Sequence, residues 1–367
     1  MRLGVAAALV DRAIVNGDVG IEEGRVSGVG LSPAGRAGLA SPGFVDVQVN
    51  GFAGVDFLAA DRDGYARAGE ALARTGVTAF QPTFISAPIP VTTQAVATLK
   101  ALDRGAPVPR VLPAHLEGPF LSPLHHGAHN PEHMLAPNLE IAASLCEAGP
   151  VGYMTVAPEL EGGLELVEHL SARGLVVSLG HSDAGRAVTI AAFDRGARAV
   201  THILNAMRPW AGRDPGLPGV ALSRPDVFVT AIVDNVHLAA ETVRLILATA
   251  PGRLVLITDA IEAAGMVDGI YRLGDRGVHA RGSEVRLEDG TLAGSVLTMD
   301  LAVRNLVCHG ATLENALEAA SRTPARLLRR PDLGQLAPGA CADIVVLDDA
   351  LEVRRTLVGG REVFAAT

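Results

Sequence analysis

Short apolar runs alternate with longer amphipathic stretches along the middle of the chain, roughly from residue 42 to residue 335. Eight runs have the length and apolar content of buried strands: 43–50, 77–83, 111–118, 151–159, 175–182, 199–206, 227–235 and 254–260. Stretches with helical spacing lie between many of them, at 62–75, 137–148, 162–173, 184–195 and 239–250. Eight strand–helix units in roughly 300 residues predict parallel crossovers and a closed (β/α)8 barrel of TIM type.

A doubly wound open sheet is the competing architecture, because it also alternates strands with helices. That fold favours a glycine-rich phosphate-binding turn directly after its first strand. The segment GFVDVQVNG, at 43–51, contains no such turn. The predicted fold class is therefore α/β with a parallel barrel.

Both ends of the chain differ in pattern from the middle. Residues 1–41 contain short β-type runs separated by glycine turns. Residues 336–367 contain an apolar strand pattern and then a predicted hairpin with Gly359 and Gly360 at its turn. We expect these two segments to form one small β-sandwich domain and residues 42–335 to form the barrel.

The strand–helix alternation is interrupted once, by residues 270–295. Their glycine turns and short runs predict a small β insertion after the eighth strand. Three helices are then predicted before the carboxy-terminal β segment, at 299–308, 312–320 and 323–330.

Composition and charge narrow the classes of partner. With 31 Lys and Arg against 40 Asp and Glu, the net charge is −9 and no basic cluster stands out along the sequence, so no nucleic-acid partner is expected. Three separated cysteines without CxxC spacing are typical of a reducing compartment. The chain has no signal-peptide pattern and no apolar run of about 18 residues. A cytoplasmic protein without a membrane partner is expected.

Three polar residues beside apolar runs form a candidate metal site. Glu117 lies in HLEGPF, His181 in GHSDA and His202 in THILNAM. Carboxyl ends of barrel strands meet at one face, where active sites of this fold gather. One carboxylate and two imidazoles with an open position form a ligand set of catalytic metal sites. For one histidine alone a satisfied buried polar residue is the favoured interpretation, and for the three together metal binding is favoured.

Four more polar residues are candidates for the chemistry of such a site. Asp259 closes the eighth run in LVLITDA, where it suits either a proton acceptor for an attacking water or a helix N-cap. His129, in a histidine-rich loop, and His237, after the seventh run, suit donors to an oxyanion or to a substrate anion, with surface histidines as the alternative. Arg213, in AGRDPGLPG, suits either a phosphate contact or a solvated side chain.

Several short motifs occur in an order that is similar to one known family. They are PGFVDVQVNGFAGVDF (42–57), HLEGPF (115–120), GAHNP (127–131), GHSDA (180–184), HILNAM (202–207), GRDPG (212–216), ITDA (257–260) and TLAGS (291–295). The chain resembles the N-acetylglucosamine-6-phosphate deacetylases, a family of the amidohydrolase superfamily. The resemblance extends in unbroken order from residue 40 or so to about residue 348.

The resemblance implies a (β/α)8 barrel with a small β-sandwich, and hydrolysis of N-acetyl-D-glucosamine 6-phosphate to D-glucosamine 6-phosphate and acetate. It places Glu117, His181 and His202 on the family's ligands for one divalent metal. It places Asp259 on the general base and acid, and His129 on the group that polarises the acetyl carbonyl. The other implied substrate contacts are Ala128, Asn205, Ala206, Arg213, His237, Leu292, Ala293 and Gly294.

The first strand bears on the number of metals. Many relatives in the superfamily carry a His-x-His pair there, whereas this chain has Gln48-Val49-Asn50. Neutral amides are poor ligands beside imidazole, so one metal per subunit is expected. Zinc is the first choice for that metal, and iron, cobalt or manganese are alternatives with similar ligand preferences.

The resemblance also implies a homodimer in which Arg213 reaches the neighbouring subunit's site. Two alternatives to the implied reaction stay open on the sequence. One is deacetylation of a related amino-sugar phosphate, such as N-acetylgalactosamine 6-phosphate. The other is a non-catalytic barrel that binds a sugar phosphate.

Overall fold

The amino-terminal segment consists mainly of short β-strands. The computed structural model describes residues 1–102 and 109–366. Five strands come first: β1 (Ala7–Val10), β2 (Ala13–Asn16), β3 (Asp18–Glu22), β4 (Arg25–Leu31) and β5 (Leu39–Pro42). Each is short and most are separated by turns with glycine or positive-φ residues, as the glycine-rich pattern of this segment predicts.

The middle of the chain alternates strands with helices. In order, the elements are β6 (Phe44–Val49), β7 (Gly51–Phe52), β8 (Val55–Asp56), α1 (Arg62–Ala73), β9 (Val77–Ile85), α2 (Ile89–Ala101), β10 (Arg110–Val111), β11 (Ala114–Glu117), α3 (Leu139–Ala148), β12 (Val151–Val156), α4 (Gly163–Ala172), β13 (Val176–Leu179), α5 (Arg186–Asp194), β14 (Ala199–Val200), α6 (Gly216–Ser223), β15 (Phe228–Ala231), α7 (Ala240–Thr249) and β16 (Leu254–Leu256). Strands that are buried on both faces carry continuous apolar runs, which is why the pattern predicts them.

Eight of these strands form the parallel barrel. Their order in the sheet is β6-β9-β11-β12-β13-β14-β15-β16, with β10 also paired to β9. Backbone bonds from Asp259 N to Gln48 O (2.9 Å) and from Asn50 N to Ala260 O (2.7 Å) join the last strand to the first. The predicted (β/α)8 barrel is confirmed.

A small sheet and three helices follow the barrel strands. The sheet contains β17 (Gly269–Leu273), β18 (Arg276–Arg281) and β19 (Glu284–Arg286), all antiparallel, within the range predicted for a β insertion. The helices are α8 (Met299–Cys308), α9 (Leu313–Ala320) and α10 (Arg322–Leu327). Strands β20 (Ile344–Leu347), β21 (Val353–Val358) and β22 (Arg361–Ala365) end the chain, and Gly359 and Gly360 form the turn of the last hairpin with positive φ.

The two ends of the chain share one sheet. Its strand order is β2-β1-β5-β20-β21-β22, so β5 and β20 pair across about three hundred residues of sequence. The separate β3–β4 hairpin packs on this sheet through an apolar cluster that includes Val19, Ile21, Val26, Ile344 and Leu357. We therefore propose that residues 1–41 and 336–367 form one domain, with the barrel between them. Among the described residues, no helix is long and apolar enough to cross a membrane.

Candidate active site

The predicted site residues converge at the carboxyl ends of the barrel strands. Glu117 is the last residue of β11, and His181 and His202 each follow their strands, β13 and β14, by two residues. Asp259 follows β16 by three residues. Strands β13, β14 and β16 end earlier than the apolar runs that predict them, so His181, His202 and Asp259 are carried by the turns that leave the barrel.

Three of these residues have an unusual backbone conformation. His181, His202 and Asp259 have φ values of 47°, 29° and 49°, in the left-handed region that non-glycine residues seldom adopt. Each such residue costs on the order of 1–3 kcal/mol and persists where the surrounding structure enforces it. The sharp turn redirects each side chain from the strand into the mouth of the barrel.

Three potential ligand atoms lie almost in contact with one another. Glu117 Oε1 is 3.2 Å from His181 Nε2 and 2.9 Å from His202 Nε2, and the two Nε2 atoms are 3.1 Å apart. Atoms that bind one zinc-like ion at about 2.0–2.2 Å are spaced by about 3 Å or slightly more. The spacing therefore fits a shared divalent cation.

The protonation of His181 supports this interpretation. Its Nδ1 lies 2.8 Å from the backbone carbonyl of His125, which can only accept, so Nδ1 carries the hydrogen. Burial lowers the pKa of His181 to about 4, so Nε2 keeps its lone pair and faces the carboxylate oxygen of Glu117. Two facing acceptors require a cation or a proton between them. A histidine whose other nitrogen donates to a carbonyl is also how proteins orient metal ligands.

Glu117 and His202, the other two candidate ligands, are electrostatically coupled. Burial alone would raise the pKa of Glu117, but the neighbouring imidazoles of His129, His181 and His202 outweigh it and hold that pKa well below its usual range. Burial opposes protonation of His202, but the Glu117 carboxylate outweighs it and raises the pKa of His202. Each of these two groups therefore favours the charged form of the other. A divalent cation held by these three residues would compete with a proton for the same atoms.

His129 is a fourth imidazole beside the cluster, with its Nε2 3.6 Å from Glu117 Oε2. Ligand atoms of Glu117, His129 and His181 also fall within 4.8 Å of one another, so His129 is a geometric competitor for the metal. Its Nδ1, however, accepts a hydrogen bond from the backbone N–H of Ser86 at 3.2 Å. The hydrogen of neutral His129 is then on Nε2, which makes His129 a donor into the site rather than a ligand.

Asp259 is held by the two amides that replace the His-x-His pair. Its Oδ1 accepts hydrogen bonds from Asn50 Nδ2 at 2.7 Å and from Gln48 Nε2 at 3.1 Å, and the latter amide also donates to Glu117 Oε1 at 3.0 Å. Burial, followed by the nearby Glu117 carboxylate, raises the pKa of Asp259 to about 7. Gln48 donates to both carboxylates and Asn50 donates to Asp259, so neither amide acts as a metal ligand, which agrees with a single metal at Glu117, His181 and His202.

A cavity of about 220 Å³ opens over these groups. Predicted site residues make up much of its wall: Glu117, Ala128, His129, His181, Asn205, Ala206, His202, His237, Asp259, Leu292 and Gly294. His237 is fixed by Asp234, whose Oδ2 lies 2.7 Å from its Nδ1. Gly294, with φ of 61°, must be glycine, because a Cβ there would lie 2.9 Å from the carbonyl oxygen of Asp259.

Two predicted contacts lie outside this cavity. Ala293 is fully buried behind the wall, and its N–H donates to the carbonyl of Val285 at 3.0 Å. Arg213 is exposed in the loop before α6 and does not line the cavity. Within residues 1–102 and 109–366 it has no hydrogen-bond or ion-pair partner. The single chain therefore leaves its guanidinium uncommitted.

Sequence reasoning missed several contributors to the site. Ile85, Ile232 and Leu273 give the cavity an apolar side, and Leu273 comes from the inserted sheet. His125 also belongs to the site, because its carbonyl orients His181 and its Nε2 lies 3.0 Å from Asp183 Oδ1. Apolar wall residues carry no chemical signature, and a backbone carbonyl contact leaves no trace in residue identity. Neither kind of contribution can be found from one sequence.

The fold and the site define a class: a TIM-type barrel with a carboxylate–imidazole metal site at its strand ends. The amidohydrolase family matches residues 39–363, so the chain belongs to the amidohydrolase family.

Two named relatives show which members of the amidohydrolase family this chain resembles. The N-acetylglucosamine-6-phosphate deacetylase of Homo sapiens is 39% identical over 360 residues, which cover 94% of this chain and 88% of that protein. The N-acetylgalactosamine-6-phosphate deacetylase of Escherichia coli O157:H7 is 39% identical over 333 residues, covering 89% of this chain and 88% of that protein. The predicted resemblance to the deacetylases is thus confirmed.

A solved structure agrees over the whole length of the chain. The N-acetyl-D-glucosamine-6-phosphate deacetylase of Mycobacterium smegmatis, as an aspartate-to-alanine mutant in complex with N-acetyl-D-glucosamine-6-phosphate, superposes with a TM-score of 0.93. Its sequence is 36% identical, and the alignment covers 99% of each chain. The barrel and the terminal sheet therefore share one architecture with that protein.

Proposed function

We propose that this chain hydrolyses the acetamide of N-acetyl-D-glucosamine 6-phosphate to D-glucosamine 6-phosphate and acetate. The observation that carries the proposal is the convergence of Glu117 Oε1, His181 Nε2 and His202 Nε2 within 3.2 Å, beside one cavity. Asp259 and His129 line the same cavity with a proton acceptor and a donor. The choice of substrate is supported by the similarity of the chain to N-acetylglucosamine-6-phosphate deacetylases.

The residues divide the chemistry between them. A divalent cation bound by Glu117, His181 and His202 would acidify water and polarise the amide carbonyl. Asp259 takes the proton of the attacking water and later gives it to the leaving nitrogen. His129 Nε2–H donates a hydrogen bond to the carbonyl oxygen as negative charge develops on it. Gln48 and Asn50 fix the Asp259 carboxylate during both transfers.

The phosphate end of the substrate requires donors at the rim. His237, fixed by Asp234, supplies one from this chain. Arg213 supplies a second from a neighbouring copy, so a homodimer is part of the proposal. The exposed, unpartnered position of Arg213 in the described chain supports this role, because a guanidinium suits bidentate phosphate binding.

Zinc is the metal that we propose, with iron, cobalt or manganese as alternatives. Two imidazoles and one carboxylate suit all four ions. Elemental analysis of the purified protein, followed by activity after exchange of the metal, identifies the functional ion. A metal-to-chain ratio near two, rather than one, would contradict the mononuclear site.

A second candidate substrate is N-acetylgalactosamine 6-phosphate. The deacetylase of that epimer in Escherichia coli O157:H7 is as similar to this chain as the human N-acetylglucosamine-6-phosphate deacetylase is, at 39% identity. The acetamide chemistry would be the same, and only contacts to the sugar C4 hydroxyl would differ. Steady-state kinetics with both epimers decide between them by the ratio of kcat/KM.

The decisive experiment is acetate release by protein of measured metal content. We expect release from N-acetyl-D-glucosamine 6-phosphate and much slower release from the unphosphorylated sugar, because the phosphate contacts would be lost. Equal rates on both sugars would contradict the phosphate site. No release from any acetylated amino-sugar phosphate, with zinc or iron added, would contradict the enzyme and favour a non-catalytic sugar-phosphate-binding barrel.

A further inference from the structure

A second cavity lies at the opposite end of the barrel from the active site. Its volume is about 600 Å³, and it opens beside the amino-terminal ends of β14, β15 and β16. Six arginines line it: Arg198, Arg253, Arg322, Arg326, Arg329 and Arg330. The chain as a whole has a net charge of −9, so this is a local excess of positive charge on an acidic protein.

Three of the six arginines have structural partners. Arg253 donates to four backbone carbonyls, including those of Leu222 at 2.9 Å and Thr249 at 2.8 Å. Arg330 pairs with Asp332 at 2.6 Å, and Arg322 pairs with Asp11 at 3.0 Å. Contacts within the fold therefore account for the positions of these three arginines.

The other three arginines lack a charge partner. Within the described chain, no carboxylate lies at ion-pair distance from Arg198, Arg326 or Arg329. The guanidinium groups of Arg198 and Arg326 each lie 5.6 Å from the ring centre of Phe228, which holds them over the aromatic ring. Arg198 Nε is also buried without an acceptor among the described residues.

The charges of these three groups are not neutralised by the surrounding protein. Burial and the positive charges of Arg329 and Arg326 lower the pKa of Arg198. The nearby carboxylate of Asp226 is already paired with Arg224 at 2.7 Å. Arg326 and Arg329 are exposed, so water screens their charges, and Arg326 Nη1 also donates to the carbonyl of Gly252 at 3.1 Å. The buried Nε of Arg198 has no such compensation, and an anion in the cavity would give it an acceptor beside two further guanidinium groups.

We propose that this cavity binds a phosphate monoester of metabolite size. A phosphate group brings negative charge and several acceptors, which match the guanidinium groups of Arg198, Arg326 and Arg329. The cavity is larger than a phosphate group, and Pro225 and Phe228 give part of its wall an apolar surface that an organic group could contact. The site is separate from the active site, so its ligand regulates or stabilises the enzyme rather than reacting in it.

Calorimetric titration of the metal-loaded protein with AMP tests the proposal, because AMP carries a phosphate monoester and chelates metal weakly. Inorganic phosphate and adenosine are the comparison ligands. The test variant is Arg326→Gln with Arg329→Asn, both exposed positions at which asparagine tolerates the positive φ of residue 329. Arg244→Gln, on the exposed face of α7, is the matched control.

We expect wild type and the Arg244→Gln control to bind AMP equally, and the double variant to bind it at least about tenfold more weakly. Phosphate should bind with the same ranking, and adenosine should not bind. Thermal unfolding verifies that the double variant is folded, and the two single variants replace it if it is not. The proposal is overturned if wild type binds neither anion at millimolar concentration, if the double variant binds AMP unchanged, or if adenosine binds as well as AMP.

Discussion

Two histidines of the site face the same carboxylate with opposite roles, because different backbone groups lie beside their Nδ1 atoms. The His125 carbonyl accepts a hydrogen bond from His181 Nδ1–H, which leaves a lone pair on Nε2. The Ser86 N–H donates to His129 Nδ1, which places the hydrogen on Nε2. Residue identity is the same in both cases, and the neighbouring backbone decides between ligand and donor.

Asp259 is the residue on which the proposed chemistry depends most directly. Asp259→Asn keeps the shape of the side chain and removes its ability to accept and return a proton. We expect turnover to fall by roughly 10²–10⁴-fold, the usual contribution of a positioned acid–base group. Metal content and thermal unfolding should change little, and Asp349→Asn, at an exposed position, is the control. Near-full turnover of the Asp259→Asn protein would contradict the assignment.

Asp18 is a buried carboxylate with a purely structural role. Its Oδ1 accepts hydrogen bonds from the backbone N–H groups of Gly4, Val5 and Val19, at 2.8, 3.0 and 2.7 Å, and its Oδ2 pairs with Arg2 at 2.9 Å. Burial acts to raise the pKa of Asp18, but these donors outweigh it and the pKa is lowered. A lowered folded-state pKa means that the stabilisation is complete above the unfolded pKa of about 3.9. It is lost as the pH falls through the folded pKa.

We therefore expect Asp18→Asn to lower the free energy of unfolding at pH 7 by about 1–3 kcal/mol, because donors to a charged acceptor are lost. The difference from wild type should shrink as the pH falls below about 4, where wild-type Asp18 also becomes neutral. Urea unfolding at both pH values measures it, with Asp349→Asn as the surface control. A difference that stays constant with pH would show that charge is not the cause.

At the scale of elements, the eight barrel strands could be predicted because burial on both faces leaves an apolar run in the sequence. The strand ends could not. The left-handed turns at His181, His202 and Asp259 depend on tertiary contacts that enforce a conformation against local preference. The sequence therefore predicts which residues reach the barrel mouth, and the structure shows how their side chains enter it.

Two helices lie outside the predicted helical stretches. Helix α2, IPVTTQAVATLKA, contains several β-branched residues, and α6, GLPGVALS, contains glycine and proline. Both compositions have low helix propensity. Tertiary packing stabilises these helices instead: all but the last residue of α6 are buried, and α2 buries Thr92, Ala95, Val96 and Leu99. Local pattern is a weak guide where the surrounding fold decides the structure.

The inserted sheet is joined to the loop that carries His129. Asp275, in the turn between β17 and β18, accepts hydrogen bonds from Asn130 Nδ2 at 2.8 Å and pairs with His133 Nε2 at 3.0 Å. Leu273 of the same hairpin lines the cavity. The hairpin thus positions the cavity wall and the substrate loop together.

Asp275→Ala should therefore loosen that loop. Since each partly exposed hydrogen bond contributes about 0.5–1.5 kcal/mol, we expect KM to rise about three- to tenfold. The change in kcat should be smaller, because Ser86 still orients His129. Glu288→Ala, at an exposed position of the same insertion, is the control in steady-state kinetics. A fall in kcat with unchanged KM would mean that the contact acts on the chemical step.

At the scale of the whole molecule, the candidate metal ligands connect distant parts of the chain. Glu117, His181 and His202 belong to three different strand ends of one barrel, and 85 residues separate the first from the last. An ion bound there would stabilise the folded state only, because the unfolded chain does not hold the three groups together. Metal binding should therefore be linked to the stability of the entire barrel.

Removal of the metal with a chelator should lower both acetate release and the thermal unfolding midpoint, and added zinc should restore both. Free metal at 1,000 times its Kd would stabilise the protein by about 4 kcal/mol. In Glu117→Gln the ligand carboxylate is lost, so the unfolding midpoint should no longer respond to zinc. Glu168→Gln, an exposed change on α4, should respond like wild type. If Glu117→Gln kept the full zinc-dependent shift, the metal would bind elsewhere, because the proposed site requires the Glu117 carboxylate.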